Sequence, residues 1–329
     1  MNRIAKLLSQ RKWRQSWAQL LHVLEAGTLS VQEYEAWGGY AGKIENGLGQ
    51  KWVLRERFWR DLSRIIAGAE LREGVRTHKG LIFFKVGAMC LFSGRKFLTV
   101  IRWLERAYEE DRRFFDLRHE RLPHQQSAYR MLLIVRALDQ FVRENSDAKH
   151  VISTKGSQVG LFFGQVYDYT LSHPPILPRV NIRAFDQLLR RNPYRVRVEQ
   201  SYRAAEWMLR QKKDLLGSNL EQYGVAEAAV VLCGTTIEGI LLRNKTVRRK
   251  LRRKKIITLG DLAISYIASC RPTPIMTVAL IFVWYARNLI HPGRWKKAKG
   301  IIIDMNFADF TLTLTGSIIA RMAKRSHRK

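Results

Sequence analysis

Acidic residues are what this chain most conspicuously lacks: Asp and Glu number 28 against 58 Lys and Arg, a formal net charge of +30. So basic a surface repels itself unless something neutralises it, and a polyanion does so while releasing condensed counterions. Nucleic acid is therefore the expected partner. The shortage is uneven. Residues 1–150 hold 27 basic and 17 acidic side chains, a net of +10, whereas the remainder hold 31 and 11, a net of +20. Cysteine is also scarce. Cys90, Cys233 and Cys270 are far apart, each in apolar company, with no CxxC spacing and no neighbouring His cluster. They read as buried, reduced thiols, which fits a reducing, cytoplasmic setting.

Long apolar runs are missing as well. The most apolar stretch, 275–286, is only twelve residues, short of the roughly 20 that span a bilayer, so a soluble protein without a membrane partner is expected. The N-terminal MNRIAKLLSQRKWRQSWAQLLHVL has no acidic residue before Glu25. It is poor in Ser and runs straight into helical patterning, so it reads as the first helix pair of the fold and not as a presequence or signal peptide. No segment longer than a few residues alternates like a strand. The expected fold class is all-α.

Helical periodicity is what the chain has instead. Trp13, Trp17, Leu20, Leu21 and Leu24 recur at three and four, Gly27 is placed as a C-cap, and Ser30 with Glu33 forms a capping box for the next helix. Residues 80–115 read as two helices broken at Ser93-Gly94, the second burying Phe97, Ile101, Leu104 and Ala107-Tyr108. Small residues at the expected approach (Gly87, Ala107) and the Gly turn resemble a tetratricopeptide-like hairpin. Residues 1–143 are thus expected to be an irregular helical-hairpin array, or an ordinary helical bundle, with a surface for a protein partner. Residues 144–194 read as a linker containing short helices, one near 158–171 and one over NIRAFDQLLRRNPY, with the proline cluster HPPILPR between them. Residues 195–329 are helical again, with expected helices around 202–209, 226–242, from 259, over 275–291 and over 307–323.

Several tempting motifs fail. GGYAGK (38–43) is a residue short of a phosphate-binding loop and lacks the Ser or Thr after Lys43. The acidic side chains of EEDRRFFD (109–116) are interleaved with arginines, as on a solvated helix face. His119 and His124 are interrupted by Pro123 and receive no role. No metal site and no cofactor are expected. The dense basic run RNKTVRRKLRRKK (243–255), in contrast, suits a phosphate backbone. Its Arg243, Lys245, Arg248, Arg249, Lys250, Arg252, Arg253, Lys254 and Lys255 are candidate nucleic-acid contacts. So are Arg294, Lys296, Lys297 and Lys299, with Trp295 among them offering a base-stacking surface, and the tail RMAKRSHRK adds further charge.

YARNLIHPGR (285–294) closes the most apolar helix. Arg287 and His291 are four apart and share a helical face with Leu280, Val283 and Trp284; Asn288 adjoins Arg287, and Pro292-Gly293 stops the helix. On residues alone, a cation near a helix C-terminus followed by Pro-Gly is also an ordinary helix end. Taken with VVLCGTTIEGILLRNK (230–245) and LGDLAISYI (259–267), the stretch resembles a HEPN domain over about 195–325. The resemblance implies a four- or five-helix bundle, usually dimeric along the 275–291 helix, whose active members are metal-independent endoribonucleases. It implies that Arg287 binds the scissile phosphate, that His291 is general acid or base for 2′-hydroxyl attack, and that Asn288 orients the pair. The usual motif leaves a longer gap between Arg and His than the three residues here (Asn288, Leu289, Ile290). The expected function is binding of nucleic acid, RNA before DNA, by a candidate endoribonuclease. The alternatives are a non-catalytic basic scaffold of a nucleoprotein assembly and a protein-interaction adaptor.

Overall fold

The computed structural model describes residues 2–25, 31–49, 51–68, 77–118, 123–145, 180, 182–190, 192–210, 219–290, 301 and 303–326. Every regular element among them is a helix, so the fold is all-α. The described residues form two compact units, and the boundary falls inside one helix, between Arg136 and Ala137. Gly27, Ser30, His119 and the expected helix near 158–171 with its proline cluster lie outside the described residues.

The first unit holds α1 (Asn2–Ser9), α2 (Trp13–Glu25), α3 (Val31–Gly47), α4 (Trp52–Gly68), α5 (Thr77–Phe92), α6 (Phe97–Arg118) and the first part of α7 (Pro123–Glu144). The break expected at Ser93-Gly94 is the turn between α5 and α6, with Gly94 at φ +70°. These two helices pack along their length because Gly87 lets Leu104 in: a Cβ at Gly87 would lie 2.8 Å from Leu104 Cδ2. Phe97, Ile101, Leu104 and Ala107 are all buried, as the periodicity requires. Two of the scarce carboxylates are also inside. Glu45 is held by Lys85 (2.9 Å) and Arg55 (3.7 Å), and Glu56 by Arg60 and by Arg95 (3.0 Å). Each buried charge has two cations, so neither is left uncompensated.

The second unit takes in residues 137–145 of the α7 region and α8 (Ile182–Leu189), α9 (Arg195–Arg210), α10 (Asn219–Arg243), α11 (Lys245–Lys250), α12 (Leu259–Cys270), α13 (Pro274–Leu289) and α14 (Met305–Ser326). The sequence assigned 182–189 to the linker, but α8 packs on α14, α9 and α10. Phe185 and Leu189 are completely buried, the former with its ring 5.8 Å from that of Tyr202. The amphipathic spacing of Phe185 and Leu189 makes α8 part of the core. The end of α7 joins the same unit through an edge-to-face contact of Phe141 with Trp284 at 4.9 Å.

At the centre lies α10, packed against α8, α9, α12, α13 and α14. Over Glu221–Arg243 it is long and apolar enough to cross a membrane, with a mean hydropathy of 1.8. The expectation that no run reaches that length is thus corrected: Gly, Thr and Ala between the aliphatics keep the helix apolar without a continuous hydrophobic string. Half of the stretch is buried against neighbouring helices, as in the central helix of a bundle. Cys233 on this helix is fully buried, which pushes its thiol up to about 12 against the opposing hydrogen bond to Thr315. Cys90 is also fully buried and its thiol is raised, mainly by burial; Cys270 is partly exposed, and all three are free.

Helix α12 starts with a reciprocal cap. Thr258 Oγ1 accepts from the Asp261 amide (3.3 Å), and Asp261 Oδ2 accepts from the Thr258 amide (3.1 Å). Burial works against the Asp261 charge, but donation from Lys254 (2.5 Å) and from Thr258 outweighs it and holds the carboxyl below its ordinary range. Thr258→Ala is expected to lower unfolding free energy by about 1 kcal/mol, the usual worth of such a cap, whereas Thr258→Ser keeps it. Urea denaturation checks this, and equal midpoints for all three proteins would show the cap to be idle.

Candidate functional site

The site is built from α13 laid across α10 and α12. Pro274 starts α13 at a position where its missing N–H is not needed. From there nearly every residue up to Ala286 is buried, so the helix is fixed on several sides before it delivers Arg287 and Asn288, both partly exposed. Two glycines set the approach. A Cβ at Gly260 of α12 would lie 2.8 Å from Trp284 Nε1, and one at Gly234 of α10 would lie 2.5 Å from Arg287 Cδ and 3.0 Å from Cγ. The Arg287 stem therefore lies directly on the bare backbone of α10. Its guanidinium continues one turn along α10 to Glu238, Nη2 to Oε2 3.4 Å. Both side chains keep access to water, at 29% and 25% exposed.

The three stretches singled out in the sequence are thus neighbours, with Gly234 and Glu238 from the first, Gly260 from the second and Arg287 from the third. Sequence reasoning gave no role to Glu238. Its signal was there: a Gly and a Glu four apart in an otherwise apolar helix place a bare patch and a carboxylate on one face. Chemically, the arrangement offers a cation positioned on a rigid helix, with its charge met by one carboxylate. Helix α13 ends at Leu289, and His291 lies outside the described residues, as do Pro292 and Gly293.

The basic run 243–255 is an ordered cationic element. Asn244 caps α11, its side chain accepting from the amides of Thr246 (3.0 Å) and Val247 (3.1 Å). Val247 is fully buried and Leu251, one turn on, nearly so. With those two residues as anchors, Lys245, Arg248, Arg249, Lys250, Arg252, Arg253, Lys254 and Lys255 all point to solvent. Arg243 is partly buried and donates to the Arg190 carbonyl (3.3 Å), and Lys254 pairs with Asp261. The remaining cations are held together on a short helix and turn. Arg294, Trp295, Lys296, Lys297 and Lys299 lie outside the described residues.

Compared with protein-family models, with curated proteins and with solved structures, the chain matches none.

The Gly234–Arg287 contact makes a quantitative claim. Gly234→Ala alone forces the Arg287 stem off α10 and is expected to cost about 1–3 kcal/mol as overpacking. In an Arg287→Ala background the two closest stem atoms are gone and only Cβ, 3.2 Å away, remains, so the same change is expected to cost clearly less. Chemical denaturation of the four proteins measures the coupling; an additive cycle would show that the stem does not rest there.

Proposed function

We propose that this chain binds nucleic acid, RNA in preference to DNA, through the cationic element 243–255, and that the second unit is a HEPN-like domain. The observation that carries the reading is the anchoring of that element. Dense like charge resists being held together, yet Val247, Leu251 and the Asn244 cap hold eight exposed cations on one small element. Such a cluster is stabilised when a polyanion replaces its counterions. The preference for RNA comes from the HEPN resemblance. A homodimer along the 275–291 helix comes from the same source, and the N-terminal helices are proposed to take a protein partner.

In the cleaving form of this proposal, Arg287 holds the scissile phosphate, His291 moves the proton and Asn288 orients them, with the RNA's own 2′-hydroxyl attacking. The Arg287–Glu238 pair favours the second reading, a non-catalytic scaffold, because a phosphate must displace Glu238 to reach the guanidinium.

Two measurements test these readings. RNA affinity is expected to fall steeply with salt, and replacing Arg248, Arg249, Arg252 and Arg253 by Gln is expected to flatten the log–log slope by up to about 3, at about 0.7 per single-strand phosphate contact. A slope unchanged by the four substitutions removes the element from the interface. RNA incubated with the protein in EDTA is expected to yield 2′,3′-cyclic phosphate ends if the cleaving form holds, and His291→Ala to abolish them without changing binding. Tight binding by both proteins with no cleavage leaves the scaffold.

A further inference from the structure

Beside the cationic element, within the second unit, the ends of α8, α10, α12 and α14 and the start of α11 enclose a cleft of about 450 Å³. This lies in the size range of small-ligand sites. Among the described residues, three cations line it, Arg243, Lys245 and Arg325, and no carboxylate does. In a chain whose carboxylates repeatedly sit against its arginines and lysines, the described lining of this cleft offers its cations no counter-charge.

Helix dipoles explain only part of this. Four helix C-termini meet at the cleft, and a cation in a last turn offsets their partial negative charge. Arg243 does this directly by donating to the Arg190 carbonyl. Lys245 opens α11, where a cation opposes that helix's own dipole. Arg325, near the end of α14, lines the cleft together with Tyr266, a buried ring. Ser269 supplies an independent observation. Elsewhere on these helices Thr236, Thr311 and Thr315 donate to the carbonyl four residues back. Ser269 also lines the cleft, and its hydroxyl is buried with no hydrogen-bond partner among the described residues. A buried hydroxyl without a partner is costly unless something else accepts its proton.

We propose that this cleft is a phosphomonoester site of nucleotide size, in which Arg325, Arg243 and Lys245 face the phosphate and Ser269 donates to the bound ligand. The site adjoins the element proposed to bind RNA, and so its first source is the phosphorylated terminal nucleotide of a bound strand; this assignment rests on that reading. The second source is a free mononucleotide, which does not depend on it.

The experiment uses the full chain and one labelled RNA sequence carrying a 5′-phosphate, a 3′-phosphate or neither, with binding followed by anisotropy. Adenosine 5′-monophosphate, adenosine 3′-monophosphate and inorganic phosphate are titrated separately by calorimetry. One phosphorylated end is expected to bind at least about tenfold tighter than the unphosphorylated strand. Arg325→Gln is expected to abolish that difference while leaving the unphosphorylated strand within about threefold, and Ser269→Ala to reduce the difference with the fold intact. A monophosphate that binds and is lost in Arg325→Gln, without any preference for a strand end, supports the site with a free nucleotide as its source. If no RNA binds at all, the nucleic-acid reading fails, and the monophosphate titrations still decide the cleft. Absence of both an end preference and monophosphate binding overturns the site, as does an end preference that survives Arg325→Gln.

Discussion

The close approach of neighbouring side chains to the bare backbone of α10 is the constraint on which the second unit depends. At Gly239 a Cβ would lie 2.5 Å from Val198 Cγ2 of α9, and at Gly234 it would lie 2.5 Å from Arg287 Cδ of α13. These positions let two different helices close on α10 from different sides. Gly239 fixes α9 through an apolar contact. Gly234 fixes the stem of an arginine and thereby aims its charge. The same backbone feature thus serves packing in one place and electrostatics in the other, and Glu238 is within reach of Arg287 only because the stem lies flat.

The scarcity of carboxylates has a structural counterpart. Glu45 and Glu56 are buried between cations in the first unit, and Glu206 is buried between Arg203 and Arg210 in the second. Asp261 holds Lys254 and caps α12, and Glu238 meets Arg287. Acidic side chains drawn inward or into such pairs leave the outward charge dominated by Lys and Arg. Around α11 this becomes a concentrated feature, because two apolar anchors and one Asn cap hold the cations in place.

Much of the helical pattern was legible because it is local. Phe97, Ile101, Leu104 and Ala107 mark one face of α6 at helical spacing and are all buried. The Ser93-Gly94 break is a turn with Gly94 at positive φ. The membership of α8 was misread, because a short amphipathic helix beside prolines looks the same whether it crosses a linker or packs into a core; Phe185 against Tyr202 decides it. The apolar length of α10 was missed because its small and hydroxylated residues interrupt the aliphatic run without making it polar.

By itself, then, the sequence determined the all-α class, the excess of positive charge and the individual residues of the Arg287 stretch and the basic run. These follow from composition and from the period of 3.6, which act over one or two turns. Only the tertiary structure decided which residues face them. Glu238 is 49 positions from Arg287, and Arg325 is 82 from Arg243. Neither separation carries a periodic signal. Glu238 and Arg287 meet because Gly234 lets the arginine stem lie on α10, and Arg243 and Arg325 because their helices end at one cleft; such neighbours decide whether a cation is paired within the protein or left for an anion.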